Sequence, residues 1–196
     1  MIKKLHFIWI NRKGKPIPPQ CLGFIREWQK LYPDFDLKVW VNEDIAGLGD
    51  SVLTDAWAHS DRDEAALVDR MRLLVVNRHG GIYADIDTKP IRNMSELITD
   101  KILVGESGMR SQRGKREIVL NLFYSPPNHE ALTWATDNFP GFDAAEAARE
   151  IEARFSPKLD VKPVNFFQGT ALTAETYSLH WPYRLHTWGL RRLICA

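Results

Sequence analysis

Two aspartates, Asp85 and Asp87, stand one residue apart directly after the apolar stretch Ile82-Tyr83-Ala84. Side chains two apart on a strand project to the same face, so both carboxylates are expected to converge at a strand end. Like charges held that close are costly unless something positive lies between them. A hard divalent cation, Mg²⁺ or Mn²⁺, meets that need, because it takes oxygen ligands and accepts waters and phosphates beside them. Such an ion can neutralise a diphosphate leaving group. A D-x-D tripeptide alone is common and most often marks a solvated turn, but its surroundings here sharpen it. Gly80-Gly81 permits an abrupt turn just before the strand, since glycine carries no Cβ. Asp69 and Arg72 form an i,i+3 pair one helix earlier. That pair is either a helix-surface ion pair worth on the order of a few tenths of a kcal/mol, or it faces a pocket. In the second case Asp69 accepts hydrogen bonds from sugar hydroxyls and Arg72 contacts sugar or phosphate.

The elements that must position these residues read as α/β. Leu5–Ile10 is a short apolar-aromatic run, expected as a buried strand. Residues 11–19 hold Gly14, Pro16, Pro18 and Pro19 and form a loop. Apolar residues at helical spacing predict a helix over Gln20–Leu31, stopped before Pro33, and Leu37–Val41 predicts a second strand. This β-α-β order favours a parallel sheet with helices on its faces. Ser60 followed by acidic residues predicts the start of a helix that runs to His79 and is ended by Gly80-Gly81. Further strands are expected at Ile82–Asp85, Lys101–Gly105 and Ile118–Tyr124. Helices are expected at Asn128–Phe139, Ala144–Phe155 and Gln168–Leu179, the last before a short aromatic tail. The sheet should be mixed but mostly parallel, in a single compact domain over residues 1–196.

With 26 Lys+Arg against 25 Asp+Glu in 196 residues, the chain lacks the basic surplus that phosphate-neutralising nucleic-acid binders carry. Nucleic acid is therefore not an expected partner. Most of the seven Trp, nine Phe and five Tyr are expected in the core, though a Trp-rich small protein often also has a flat surface for stacking on a ring-shaped ligand. Cys21 and Cys195 fit no zinc spacing and read as free thiols of a reducing compartment. No apolar run reaches the roughly 20 residues of a membrane span, and the one behind Met1 stops at Ile10, too short for a signal peptide. A cytoplasmic protein is expected, with peripheral membrane contact or a homo-oligomer left open. No Walker loop, no G-x-G-x-x-G after a strand and no H-x-x-x-H pair is present.

The combined run Ala65-Ala66-x-x-Asp69-x-x-Arg72 and Gly80-Gly81-Ile82-Tyr83-Ala84-Asp85-Ile86-Asp87 resembles glycosyltransferase family 32. That group has a sugar-binding region containing a DXD motif and is related to yeast outer-chain mannosyltransferases. The run is also similar to the catalytic domain of the clostridial glucosylating toxins. Leu5-His6-Phe7-Ile8-Trp9-Ile10 is similar to the family's opening I-H-x-I-W strand, and Pro33-Asp34 with Leu37–Trp40 resembles a further family segment. The resemblance is good over about residues 5–90 and thins beyond. Asn121 to His129 resembles N-x-x-x-x-x-P-x-H, which would put Asn121 near the donor sugar, although a strand asparagine paired with backbone explains it equally well. Gly169-Thr170-Ala171-Leu172-Thr173 lacks the proline of the family's helix start. His186-Thr187-Trp188 resembles a closing H-x-x-x-SW element but has no Ser-Trp pair.

The resemblance implies the Rossmann-like glycosyltransferase A fold and transfer of a sugar, with retention, from a UDP- or GDP-linked donor to a glycan, polysaccharide or glycolipid hydroxyl. It implies a Mn²⁺ or Mg²⁺ cofactor held by Asp87, with Asp85 nearer the ribose and sugar and His186 as a third ligand. Asp69 and Arg72 complete the catalytic set. Trp9 stacks on the base, and Ile8, Tyr83, Asn121 and Trp188 bind substrate. About residues 1–90 would bind the nucleotide sugar, and 91–196 would form the acceptor side and closing segment. Two other readings stand beside this one: a non-catalytic module that holds a sugar nucleotide, and a Mg²⁺-dependent phosphohydrolase, which also pairs aspartates on metal.

Overall fold

The computed structural model describes residues 1–110, 116–139, 143–167 and 173–180. Strand β1 (Lys4–Ile8), helix α1 (Pro19–Leu31) and strand β2 (Asp36–Trp40) form the first unit. Helices α2 (Ser51–His59) and α3 (Glu64–His79) lead into β3 (Gly81–Ala84) and the short β4 (Thr88–Pro90). Then come β5 (Ile102–Arg110), β6 (Arg116–Ser125), α4 (Glu130–Asn138), α5 (Ala144–Phe155), β7 (Leu159–Lys162), the short α6 (Val164–Phe167) and β8 (Ser178–His180). Six strands form one sheet in the order β2-β1-β3-β6-β5-β7, and β4 pairs with β8 in a separate ribbon. The β1–β2, β1–β3 and β5–β7 pairs are parallel and the pairs made by β6 are antiparallel, so β6 alone opposes the other five. The sheet is mixed and mostly parallel, as expected. Its site lies where such sheets place ligands, beyond the carboxyl ends of β1 and β3.

The period-2 alternation of the strands splits the core into two layers. Leu5, Phe7, Ile82 and Ala84 face one way, into a cluster with Ile25 and Trp28 of α1 and Phe167 of α6. Ile8 and Tyr83 face the other way, among Leu67 and Met71 of α3, Ala131 of α4 and Ile151 of α5. Among the described Trp residues away from the cleft, Trp28 and Trp40 are buried, while Trp57 and Trp134 pack only partly against the core. Trp28 Nε1 also donates to the Thr88 carbonyl at 2.9 Å, tying α1 to the chain just past the aspartates. Cys21 is buried on α1 and unpaired. Cys195 lies outside the described residues. Among the described residues no helix is long and apolar enough to cross a membrane.

Three local expectations need correcting. The helix before the glycines starts at Asp63, not Ser60: the Asp63 carboxylate accepts from the Ala65 N–H at 3.1 Å. Ser60 instead closes α2, a helix the sequence pattern did not reveal, with its N–H on the Ala56 carbonyl. A helix over 168–179 is not formed where it is described, since 173–180 is a turn followed by β8. Finally, β3 stops at Ala84, so the aspartates do not converge by strand alternation. They sit in a turn closed by the Thr88 N–H donating to the Asp85 carbonyl at 2.9 Å.

Candidate active site

Two glycines set the approach to the site. Gly80 caps α3 at φ 61° and Gly81 opens β3 at φ 104°, where any other residue is strained. A Cβ on Gly80 would lie 2.6 Å from Pro127 Cδ, and one on Gly81 would lie 2.6 Å from the Lys4 carbonyl oxygen. The helix can therefore turn directly into the strand beside β1 only because both positions are bare.

A cleft of about 380 Å³ opens beyond the strand ends. One wall is a stripe of α3, Glu64, Ala65, Val68 and Arg72, at helical spacing. Ile8, Trp9 and Ile10 continue β1 into the cleft, Tyr83, Asp85, Ile86 and Asp87 come from the end of β3, and His180 ends β8. Trp9 is half-buried; its indole Nε1 donates to the Lys15 carbonyl at 2.9 Å and its backbone N–H to the Trp40 carbonyl at 2.8 Å.

Asp85 is held from several sides. Its backbone N–H donates to the Asn121 carbonyl at 2.8 Å. The Tyr83 hydroxyl donates to Oδ1 at 2.6 Å, and Arg72 Nη1 lies 3.4 Å from the same oxygen. Burial pushes the Asp85 carboxyl upward, Arg72 draws it back, and the neighbouring Asp87 charge adds to the rise, leaving it above the ordinary carboxylate range. Arg72 is buried and also donates to the Leu120 carbonyl at 2.9 Å and to Asp69 Oδ1 at 2.6 Å. Burial opposes its charge, but Asp85, Tyr83 and Asp69 more than compensate, so it stays protonated. The pair is thus neither of the simple alternatives. Arg72 faces the cleft, while Asp69 stands behind it, its other oxygen accepting from the Ala144 N–H at 3.1 Å at the start of α5. Asn121 is buried on β6 next to Asp85 and does not line the cleft. His186 and Trp188 lie outside the described residues.

His180 is the residue the sequence did not single out. Its Nε2 lies 3.3 Å from Asp87 Oδ1 and 3.9 Å from Asp85 Oδ2. Burial lowers its pKa, but contact with Asp87 and the charge of Asp85 raise it further, for a net upward shift. Asp85, Asp87 and His180 can each offer one ligand atom, all within 4.8 Å of one another. Two carboxylates and an imidazole suit a divalent cation that accepts both oxygen and nitrogen. Burial leads the upward shift of Asp85, and the Asp87 charge that adds to it is the part such an ion would relieve. No H-x-x-x-H or D-x-x-x-H spacing marks His180, because strand pairing rather than sequence proximity brings it in: Thr88 pairs with His180.

Residues 18–106 match the family model described as the glycosyltransferase sugar-binding region containing DXD motif. No curated protein matches the chain. Among solved structures, the PaToxG glycosyltransferase is similar with a TM-score of 0.61 at 16% identity, over 80% of this chain and 70% of that one. The catalytic domain of alpha-toxin from Clostridium novyi gives a TM-score of 0.45 at 10% identity, over 80% of this chain and 64% of that one. A glycosyltransferase involved in glycosylation of the major capsid of PBCV-1 gives 0.46 at 7%, over 90% and 92%. The fold is that of the glycosyltransferase A class. Residues 18–106 are thus similar to the DXD-containing sugar-binding region of glycosyltransferases, on a fold that the PaToxG glycosyltransferase shares.

Proposed function

We propose that the chain moves a sugar from a nucleoside-diphosphate donor, UDP- or GDP-linked, to a hydroxyl of a glycan, polysaccharide or glycolipid, with retention of configuration. The observation that carries this reading is the meeting of Asp85, Asp87 and His180 in a cleft that Trp9 and Arg72 also line. Held by those three ligands, Mn²⁺ or Mg²⁺ would neutralise charge on a departing diphosphate. Trp9 offers its ring to the base, with Ile8 packing beneath. Arg72, fixed by four acceptors or rings around it, presents a preorganised positive charge to phosphate or sugar. Tyr83 fixes Asp85, and Asp69 steadies Arg72 from behind the cleft wall. Asn121 serves the donor-sugar side indirectly, through its backbone carbonyl on the Asp85 N–H. His186 is assigned as a further ligand and Trp188 as a closing group. Asp85 and Asp87 serve the metal, so the reading has same-face attack by the acceptor, assisted by the leaving diphosphate, and no covalent sugar–enzyme bond.

Residues 1–90 would bind the donor within a single domain, and 91–196 would form the acceptor side. The reading places the chain in the cytoplasm, with peripheral membrane contact or a second copy beside the acceptor side. The decisive test is Mn²⁺-dependent hydrolysis or transfer of nucleotide sugars. Asp87→Ala should lower the rate by about 10²-fold or more while donor binding in the absence of metal changes little. Unchanged turnover would overturn the metal assignment, and donor binding without turnover in the unaltered chain would mark a binding module instead.

A further inference from the structure

The wall of α3 in the cleft carries two charged side chains of opposite sign, separated by two turns. Arg72 is at the end where the aspartates meet, and Glu64 is at the other. Eight residues at 1.5 Å rise place them about 12 Å apart along the helix, the span between the diphosphate and the base of an extended nucleotide. Between them the wall is Ala65 and Val68, apolar and low, and Trp9 and Ile10 also bound the space. Glu64 is half-buried. Among the described residues its Oε1 accepts one long bond, from the Arg12 backbone N–H at 3.3 Å. The Arg12 guanidinium is engaged elsewhere: it donates to the carbonyls of Ala56, Trp57 and Arg62 and lies over the Trp57 ring at 4.8 Å.

Resting on the nucleotide-sugar reading above, we infer that Glu64 is a base-specificity residue that selects a guanosine-diphosphate donor over a uridine one. A carboxylate only accepts hydrogen bonds. The edge of guanine offers it two parallel donors, N1–H and the N2 amino group, matching its two oxygens. Uracil offers one N–H between two carbonyl oxygens, which a carboxylate repels. A carboxylate in the base-binding part of the cleft therefore attracts one base and rejects the other.

Calorimetry of the full chain with Mn²⁺ and GDP, inosine diphosphate or UDP tests this. GDP should bind at least about tenfold tighter than UDP, and inosine diphosphate, which lacks the N2 donors, should fall between. Glu64→Ala should collapse the preference. Glu64→Gln, whose amide both donates and accepts, should move it toward UDP, a gain that a merely damaged fold would not produce. UDP binding as tightly as GDP in the unaltered chain, or a preference indifferent to Glu64→Gln, would overturn the inference and leave the sugar-transfer reading intact. Failure of all three nucleotides to bind would overturn both.

Discussion

His180 and Arg72 show how few atoms decide the chemistry. Asp85 spends Oδ1 on Tyr83 and Arg72 and turns Oδ2 toward His180. The tyrosine and arginine therefore aim the carboxylate, and the histidine with Asp87 completes the nitrogen–oxygen set. His180→Ala should weaken Mn²⁺ binding by about 10–100-fold, read by electron paramagnetic resonance of free Mn²⁺, since ligand-sphere losses have that size. The melting temperature without metal should fall slightly, because the imidazole that relieves the two aspartates is lost. Unaltered Mn²⁺ affinity would exclude His180 from the ligand set.

At the scale of elements, the junction of α3 and β3 is the most constrained point. Gly81→Ala would add a Cβ against the Lys4 carbonyl and impose a left-handed φ on alanine. These two costs together should destabilise the protein by about 2–4 kcal/mol, measured by urea unfolding. A loss below about 1 kcal/mol would mean that β1 yields readily. The junction was legible beforehand, because paired glycines before an apolar strand have few other uses. The β-α-β start was legible for the same reason, that local pattern and local structure agree there, whereas the pattern left Arg72 open between a surface ion pair and a pocket. Most of what was hidden had nonlocal causes. α2 is apolar on only part of its surface and is capped by Asp50, whose carboxylate also receives the Arg70 guanidinium at 2.5 and 2.9 Å. The aspartates converge through a turn rather than a pleat, and His180 arrives by strand pairing from a stretch whose composition looks helical. No short window of sequence contains both Asp50 and Arg70, or both Thr88 and His180, whereas the Asp85–Thr88 turn is local and its residues read equally well as a strand end.

For the molecule as a whole, one buried base on β1 links the α3–β3 junction to β2. His6 Nε2 lies 2.8 Å from the Gly80 carbonyl, to which it donates, while Nδ1 accepts from Trp40 Nε1 at 3.2 Å. That pattern requires a neutral ring. Burial, aided by the charges of His79 and Lys4 and opposed by the Gly80 carbonyl, pushes the pKa from 6.5 down to about 4. The unfolded chain takes up that proton near pH 6.5 and the folded chain only near 4. Stability is therefore full above pH 6.5 and drains as the pH falls toward 4, by on the order of 3 kcal/mol from this residue. Thermal melts from pH 7 to pH 4 should show the decline, and His6→Gln should flatten it. An imidazole that titrates near 6.5 by nuclear magnetic resonance in the folded protein would contradict it.

The two-stranded ribbon of β4 and β8 adds a constraint of a different kind. Its three residue pairs place His180 opposite Thr88, at the foot of the DXD turn. Shifting one strand by a single residue would send His180 to the opposite face, so the third ligand exists in only one alignment of the ribbon. A cation held by the three side chains would therefore be coupled to ribbon closure: its binding would stabilise the alignment by mass action, and loosening the ribbon would weaken its binding.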